Sequence, residues 1–120
     1  MNKAVLIINL GSPSDPSVIS VWKFLKEFLM DKRVIDIPYL FRFFLVNLII
    51  IPFRVLNSTK EYKKMWNKFG YSPIQKFTNS LNKKINQKIG ANYTCYYAMR
   101  YQKPSLDKIL EKIYKNNHDE

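Results

Sequence analysis

Only two stretches of this 120-residue chain carry the pattern of buried strands, and they stand almost at its opposite ends. Lys3 to Asn9 encloses Ala-Val-Leu-Ile-Ile, a short unbroken apolar run suited to a strand buried on both faces of a parallel sheet. Asn92 to Met99 is rich in strand formers such as tyrosine and threonine. Between them the apolar residues recur at helical spacing. Two distant strands with helices between them fit a Rossmann-like sheet, in which parallel neighbours are joined by crossover connections. The expected class is α/β. Two strands do not complete a sheet, so an incomplete lobe with parallel strands and flanking helices is expected.

The first strand runs into Gly11-Ser12-Pro13-Ser14-Asp15-Pro16, a dense cluster of turn residues. A helix is predicted next, capped by Ser14 or Asp15 with Pro16 in its first turn, and with an apolar stripe of Val18, Val21, Trp22, Leu25, Phe28 and Leu29. Asp31-Lys32-Arg33 breaks it. Val34 to Phe53 is strongly apolar but interrupted by Asp36, Pro38, Arg42, Asn47 and Pro52. That is too broken for the roughly 20 apolar residues of a membrane span, and Arg42 near its middle would add about 3 kcal/mol in hydrocarbon. A helix buried between layers is expected, with a helix lying in a membrane surface as the alternative. Ser58-Thr59-Lys60-Glu61 reads as a helix start, with a hydroxyl cap and an acid three positions on, and Gly70 as the stop. Pro73 opens a further helix whose stripe is Ile74, Phe77, Leu81, Ile85 and Ile89, ended by Gly90. A last helix begins near Pro104-Ser105. Residues 1–115 thus form one partial lobe, and 116–120 a polar tail.

The net charge is +11, from 20 Lys and Arg against 9 Asp and Glu. Sixteen of the cations are Lys, beside 11 Asn and 13 Ile, a combination that points to A/T-biased coding as readily as to a polyanionic partner. Net charge bears on solubility and nonspecific binding rather than on fold, and no nucleic-acid partner is expected. The four arginines stand out against the bias, because a planar guanidinium grips a carboxylate with two parallel hydrogen bonds. Arg33, Arg42, Arg54 and Arg100 are therefore the cations of interest. The single cysteine, Cys95, excludes an internal disulfide and fits a reducing compartment, and no secretory signal is visible. A cytoplasmic location is expected.

Much familiar chemistry is missing. His118, the only histidine, is expected to be a solvated residue of a frayed tail, so neither a metal site nor a Ser-His-Asp set can be assembled. The Gly11 turn has one glycine where a dinucleotide fingerprint needs three. No resident cofactor is expected. In an open α/β sheet, ligands bind outside the carboxyl ends of the strands. Leu10-Gly11-Ser12-Pro13 follows the first strand and Arg100-Tyr101 the second, so the two should reach one rim. Arg54, Tyr62 and Ser72 lie on the segments between. Guanidinium and hydroxyl groups of this kind suit the holding of carboxylates. Equally, Tyr62 can pack in a core, Ser72 can cap the helix at Pro73, and Arg54 can be solvated.

The order of blocks resembles the opening of bacterial ferrochelatases. It begins with Ile8-Asn9-Leu10-Gly11-Ser12-Pro13, and Lys26 to Pro38 (Lys-Glu-Phe-Leu-Met-Asp-Lys-Arg-Val-Ile-Asp-Ile-Pro) follows. Next come Ile51-Pro52-Phe53-Arg54, Tyr62-Lys63-Lys64-Met65-Trp66, Ser72-Pro73-Ile74, Ala98-Met99-Arg100-Tyr101 and Pro104-Ser105. Each block alone is weak; the ordered series is specific and runs to about Ile113.

The resemblance implies a type II chelatase-like lobe, one of two between which a porphyrin is clamped for insertion of ferrous iron, both being substrates of haem synthesis. It implies that Leu10 lies against a macrocycle face and that Arg54, Tyr62 and Ser72 bond porphyrin propionates. It places Arg100 and Tyr101 near the cleft, and makes the stretch from Ile37 to Phe53 a cleft lip, which in some members touches the membrane. The family's essential histidine and its acidic partner belong to a second lobe with no counterpart here. His118 comes far too early to be that histidine. No catalytic residue is therefore assigned to this chain, which alone is expected to be inactive and to depend on a separate C-terminal half. A non-catalytic module for anionic tetrapyrroles, or for membrane surfaces, is the alternative.

Overall fold

The structure, a computed structural model, describes residues 2–119. In chain order the elements are β1 (Lys3–Asn9), α1 (Val18–Leu29), α2 (Tyr39–Phe44), a π-helical segment (Leu45–Ile50), α3 (Ile51–Phe69), α4 (Pro73–Lys88), β2 (Tyr93–Met99) and α5 (Leu106–Lys115). They form two compact units. One combines the chain up to Gly11 with the chain from Pro73 onward; the other is Ser12–Ser72.

In the first unit β1 and β2 pair in parallel, in register from Lys3 with Tyr93 to Asn9 with Met99, and α4 and α5 pack on the pair. The chain is α/β, with two parallel strands flanked by helices. β1 is only half buried: Val5 and Ile8 are exposed, contrary to the two-sided burial its apolar run predicts, because β2 and α4 are its principal neighbours. The edge of β2 turned away from β1 is closed by other groups. Asn86 on α4 donates through Nδ2 to the Cys95 carbonyl (2.8 Å) and accepts the Cys95 N–H at Oδ1 (2.7 Å). The Met99 N–H reaches the Pro104 carbonyl at 2.7 Å. A side-chain amide carries the same donor and acceptor as a peptide, so Asn86 stands in for a third strand at Cys95.

The stripe predicted on α4 is only partly used. Phe77 and Leu81 are exposed, while Thr78 is buried, its hydroxyl donating to the Ile74 carbonyl at 2.6 Å. The tail differs from expectation. His118 is not frayed: its Nε2 lies 2.8 Å from the Tyr96 hydroxyl, which also accepts from Asn116 Nδ2 at 2.9 Å. Asp119 exchanges two hydrogen bonds of 2.7 Å with Asn2. Tyr96 in β2 and Asn2, just ahead of β1, hold a tail that composition alone makes look loose.

In the second unit α1 packs on α3 around Val21, Val46, Ile51 and Val55. The cap of α1 is Ser17, not Ser14 or Asp15 as predicted; its Oγ accepts the Ser20 N–H, while Asp15 accepts the Ser17 N–H at 2.8 Å. Hydrogen bonding from the Ser17 hydroxyl, and then from the Ser17 N–H, holds the Asp15 carboxyl below its ordinary range. Phe24, outside the predicted stripe, is buried, and Val18 is exposed.

From Tyr39 to Phe69 the chain is helical without a break. The predicted start at Ser58–Glu61 does not exist: Thr59 is buried in mid-helix, its hydroxyl donating to the Val55 carbonyl at 2.6 Å. The π-helical segment is explained by Pro52. Proline brings no N–H and its ring crowds the carbonyl four residues back, so a wider turn relieves both problems, and the Ile51 N–H bonds the Val46 carbonyl five residues back. The helix is not the buried core element expected. Tyr39, Leu40, Phe41, Leu48, Ile49, Phe53 and Leu56 are each more than half exposed, with Phe53 at 82%. Arg42 is instead buried, at 7% exposure. Its guanidinium donates to the Ile37 carbonyl at 2.9 Å and lies 5.5 Å from the centre of the Tyr39 ring.

Candidate functional site

The carboxyl ends of β1 and β2 continue side by side beyond the sheet. The Arg100 N–H donates to the Asn9 carbonyl (2.8 Å) and the Tyr101 N–H to the Leu10 carbonyl (3.0 Å). Gly11 makes this approach possible. Its φ of +106° is open to glycine and strained for other residues, and a Cβ there would collide with the Tyr101 carbonyl oxygen. Asn9 braces the corner, accepting the Leu10 N–H at Oδ1 and donating to Thr78 Oγ1 at 3.1 Å.

The side chains at this rim divide by burial. Tyr101 is 4% exposed and anchors the loop. Arg100 is exposed and oriented by Tyr101: its Nε donates to the phenol oxygen at 3.1 Å, and its guanidinium carbon lies 5.6 Å from the ring centre. Leu10 is 44% exposed, an apolar surface beside that cation. The two loops thus share one rim, as strand order predicts.

The remaining three predicted residues belong to the second unit. Ser72 is buried and shares a 2.6 Å hydrogen bond with Ser12. Arg54 is exposed and closes one side of a cleft of about 400 Å³ whose other walls are Leu29, Ile49, Ile50 and Phe53. Tyr62 lies two turns further along α3, about 12 Å at the rise of an α-helix. It is half-buried, meeting Phe24 edge to face at 6.2 Å and Trp66 at 6.3 Å. Burial pushes its phenol above the usual value, so the hydroxyl stays a neutral donor at physiological pH. Among the described residues no group of three His, Cys, Asp and Glu converges where a metal ion could be held.

Gly11, Asn9 and Thr78 build the rim, yet sequence reasoning did not single them out as site residues. The signal for Gly11 was its place directly after a strand, where a close backbone approach demands glycine. Nothing comparable marked the bond from Asn9 to Thr78, which joins residues 69 positions apart.

The sequence model of one family, described as ferrochelatase, matches residues 2–120. The chain belongs to the ferrochelatase family. It is 41% identical over 109 residues to a protein named ferrochelatase from Coxiella burnetii, a match covering 91% of this chain and 30% of that relative. A ferrochelatase from Bdellovibrio bacteriovorus is 38% identical over 118 residues, 98% of this chain and 35% of the relative, and one from Opitutus terrae is 43% identical over 113 residues. The chain therefore spans about a third of the length of these ferrochelatases. Its paired parallel strands and flanking helices fit the type II chelatase lobe of the family.

Proposed function

We propose that this chain supplies part of the porphyrin-binding wall of a ferrochelatase, the enzyme that inserts ferrous iron into a porphyrin. The observation that carries the reading is the rim at Gly11, where exposed Leu10 and the Arg100–Tyr101 pair stand together at the carboxyl ends of the strands. A flat apolar macrocycle with carboxylate arms needs those two surfaces: an aliphatic contact for the ring, and guanidinium forks for the arms. Arg54, beside its apolar cleft, and the neutral Tyr62 hydroxyl are further groups of the same kind.

Ferrous iron is a substrate in this reading, and the base that accepts pyrrole protons comes from outside these residues. His118 is not proposed for that role: its Nε2 is engaged by Tyr96 and its Nδ1 is buried. Binding is tested by quenching of tryptophan emission on adding protoporphyrin, because Trp66 meets Tyr62 edge to face. Micromolar quenching that weakens in Tyr62→Phe supports the reading; no quenching opposes it. Turnover is tested separately. The chain alone is expected to form no zinc porphyrin, and formation abolished by Arg54→Ala would show that the base lies within it.

A second reading concerns the lip. The exposed apolar residues between Tyr39 and Leu56 favour contact with a membrane surface. The helix is long and apolar enough to cross a bilayer by composition. However, its Val46, Ile51 and Val55 face packs on α1, so peripheral contact is proposed rather than a span, with the chain cytoplasmic and at the inner membrane surface. Flotation with liposomes is expected and should be lost in Leu48→Asp.

A further inference from the structure

We infer that the cavity between α1 and α2 is a headgroup site for an anionic phospholipid, an inference that rests on the peripheral-membrane reading of the lip. The cavity measures about 400 Å³ and is lined by Lys23, Lys26, Glu27, Met30, Tyr39 and Phe43. It belongs to the second unit and shares no lining residue with the cleft at Arg54.

Its charge balance is positive. Lys23 and Lys26 lie one turn apart on α1, both exposed, against the Glu27 carboxylate in the wall and that of Asp15, on which Lys23 also acts. A third cation stands close by: Arg42 stacks over the ring of Tyr39, which forms part of the wall. Among the described residues the Arg42 guanidinium pairs with no carboxylate; it donates to the carbonyls of Ile37 and Ile35, and its buried Nε has no hydrogen-bond partner. Its positive charge is therefore not neutralised by an ion pair and acts through a medium that screens it weakly.

The apolar wall has a direction. Tyr39 and Phe43 lie one turn apart with ring centres 6.3 Å apart, and Phe43 meets Phe44 edge to face at 5.8 Å. Exposed Phe44 touches this wall, and exposed Leu40 lies one turn from Phe44 on the same helix. A ligand that fills such a place has a small anionic head for the lysines and long apolar chains for the helix. A volume of about 400 Å³ suits a glycerophosphate head, while acyl chains would lie outside along α2. A free anion would leave the aromatic surface in water, and a neutral lipid would leave the lysines unused.

The experiment is flotation of the purified chain with vesicles of phosphatidylcholine alone and with one-third phosphatidylglycerol, at physiological salt. The double variant Lys23→Gln/Lys26→Gln is compared with Lys83→Gln/Lys84→Gln, which removes the same charge from α4. A juxtamembrane lysine contributes about 1 kcal/mol toward an anionic surface, so the first variant should bind anionic vesicles about 30-fold more weakly, and the second under about 3-fold. All four lysines are exposed, and circular dichroism should show both variants folded. Equal losses in the two variants would reduce the effect to net charge and overturn the site. Equal binding of the wild type to both kinds of vesicle would also overturn it while leaving the membrane reading intact. Absence of binding to any vesicle would end both. Self-association in sedimentation without vesicle binding would assign the surface to a second copy and overturn the inference.

Discussion

Replacing Asn86 by alanine should loosen β2, while the same replacement at Asn82, one turn earlier on α4, should not. The Asn86 amide makes two short hydrogen bonds to the backbone of Cys95. Their loss at about 0.5–1.5 kcal/mol each gives about 1–3 kcal/mol. Alanine regains about 0.6 kcal/mol of helix propensity, leaving a net cost of about 0.4–2.4 kcal/mol. Asn82 has a buried Oδ1 without a hydrogen-bond partner among the described residues, so its removal deletes a desolvated acceptor and gains the same propensity. Asn82→Ala should be neutral or stabilising by up to about 1 kcal/mol.

Cys95 is the reporter. Its thiol is buried, and burial pushes its pKa up, so alkylation of the native protein waits for the strand to open. With fast reclosing, the rate follows the open population, and Asn86→Ala should react about 2–60-fold faster than wild type at pH 8. Asn82→Ala should match wild type or lag behind it. Equal rates for all three proteins, or acceleration by Asn82→Ala, would refute the view that a side-chain amide closes this sheet edge.

Gly11→Ala should destabilise by about 2–3 kcal/mol or more in urea, since left-handed strain and a collision with the Tyr101 carbonyl add together. Gly90→Ala, at φ +84° but with open space around it, should lose about 1 kcal/mol. The raised phenol of Tyr62 sets an alkaline limit: the folded state holds its proton more tightly than the unfolded one, so this stability is intact below pH 10 and falls as pH rises through the folded value. Tyr62→Phe should flatten that part of a stability–pH curve measured by denaturation. His118→Ala should remove one of the two partners of the Tyr96 hydroxyl and speed amide exchange at Asp119, whose N–H bonds the Asn2 carbonyl.

Local signals carried much of this fold. The apolar run at β1, the glycine stops at Gly70 and Gly90, Pro73 opening α4 and Ser105 capping α5 all reflect backbone chemistry that residue type dictates. The failures share a different cause. Ser58–Glu61 has the residues of a helix start, but a preceding helix anchored by Ile51 and Val55 continues through it, and tertiary packing overrides the cap. The stretch from Val34 to Phe53 reads as core because apolar composition says what water disfavours, not what neighbour is present to cover it. His118 was dismissed because its partner, Tyr96, is 22 residues away. At the candidate site, strand order alone paired the Leu10 and Arg100 loops, whereas the bracing by Gly11 and Thr78 needed coordinates. Family resemblance supplied the porphyrin; charge and periodicity would have stopped at a rim suited to carboxylates.

Titration of protoporphyrin with this chain, followed at the Soret band, tests the central claim that its arginines hold the carboxylate arms. The account predicts saturable micromolar binding that weakens with salt and drops about tenfold or more in both Arg54→Ala and Arg100→Ala. A flat titration, or wild-type affinity in both variants, would contradict it.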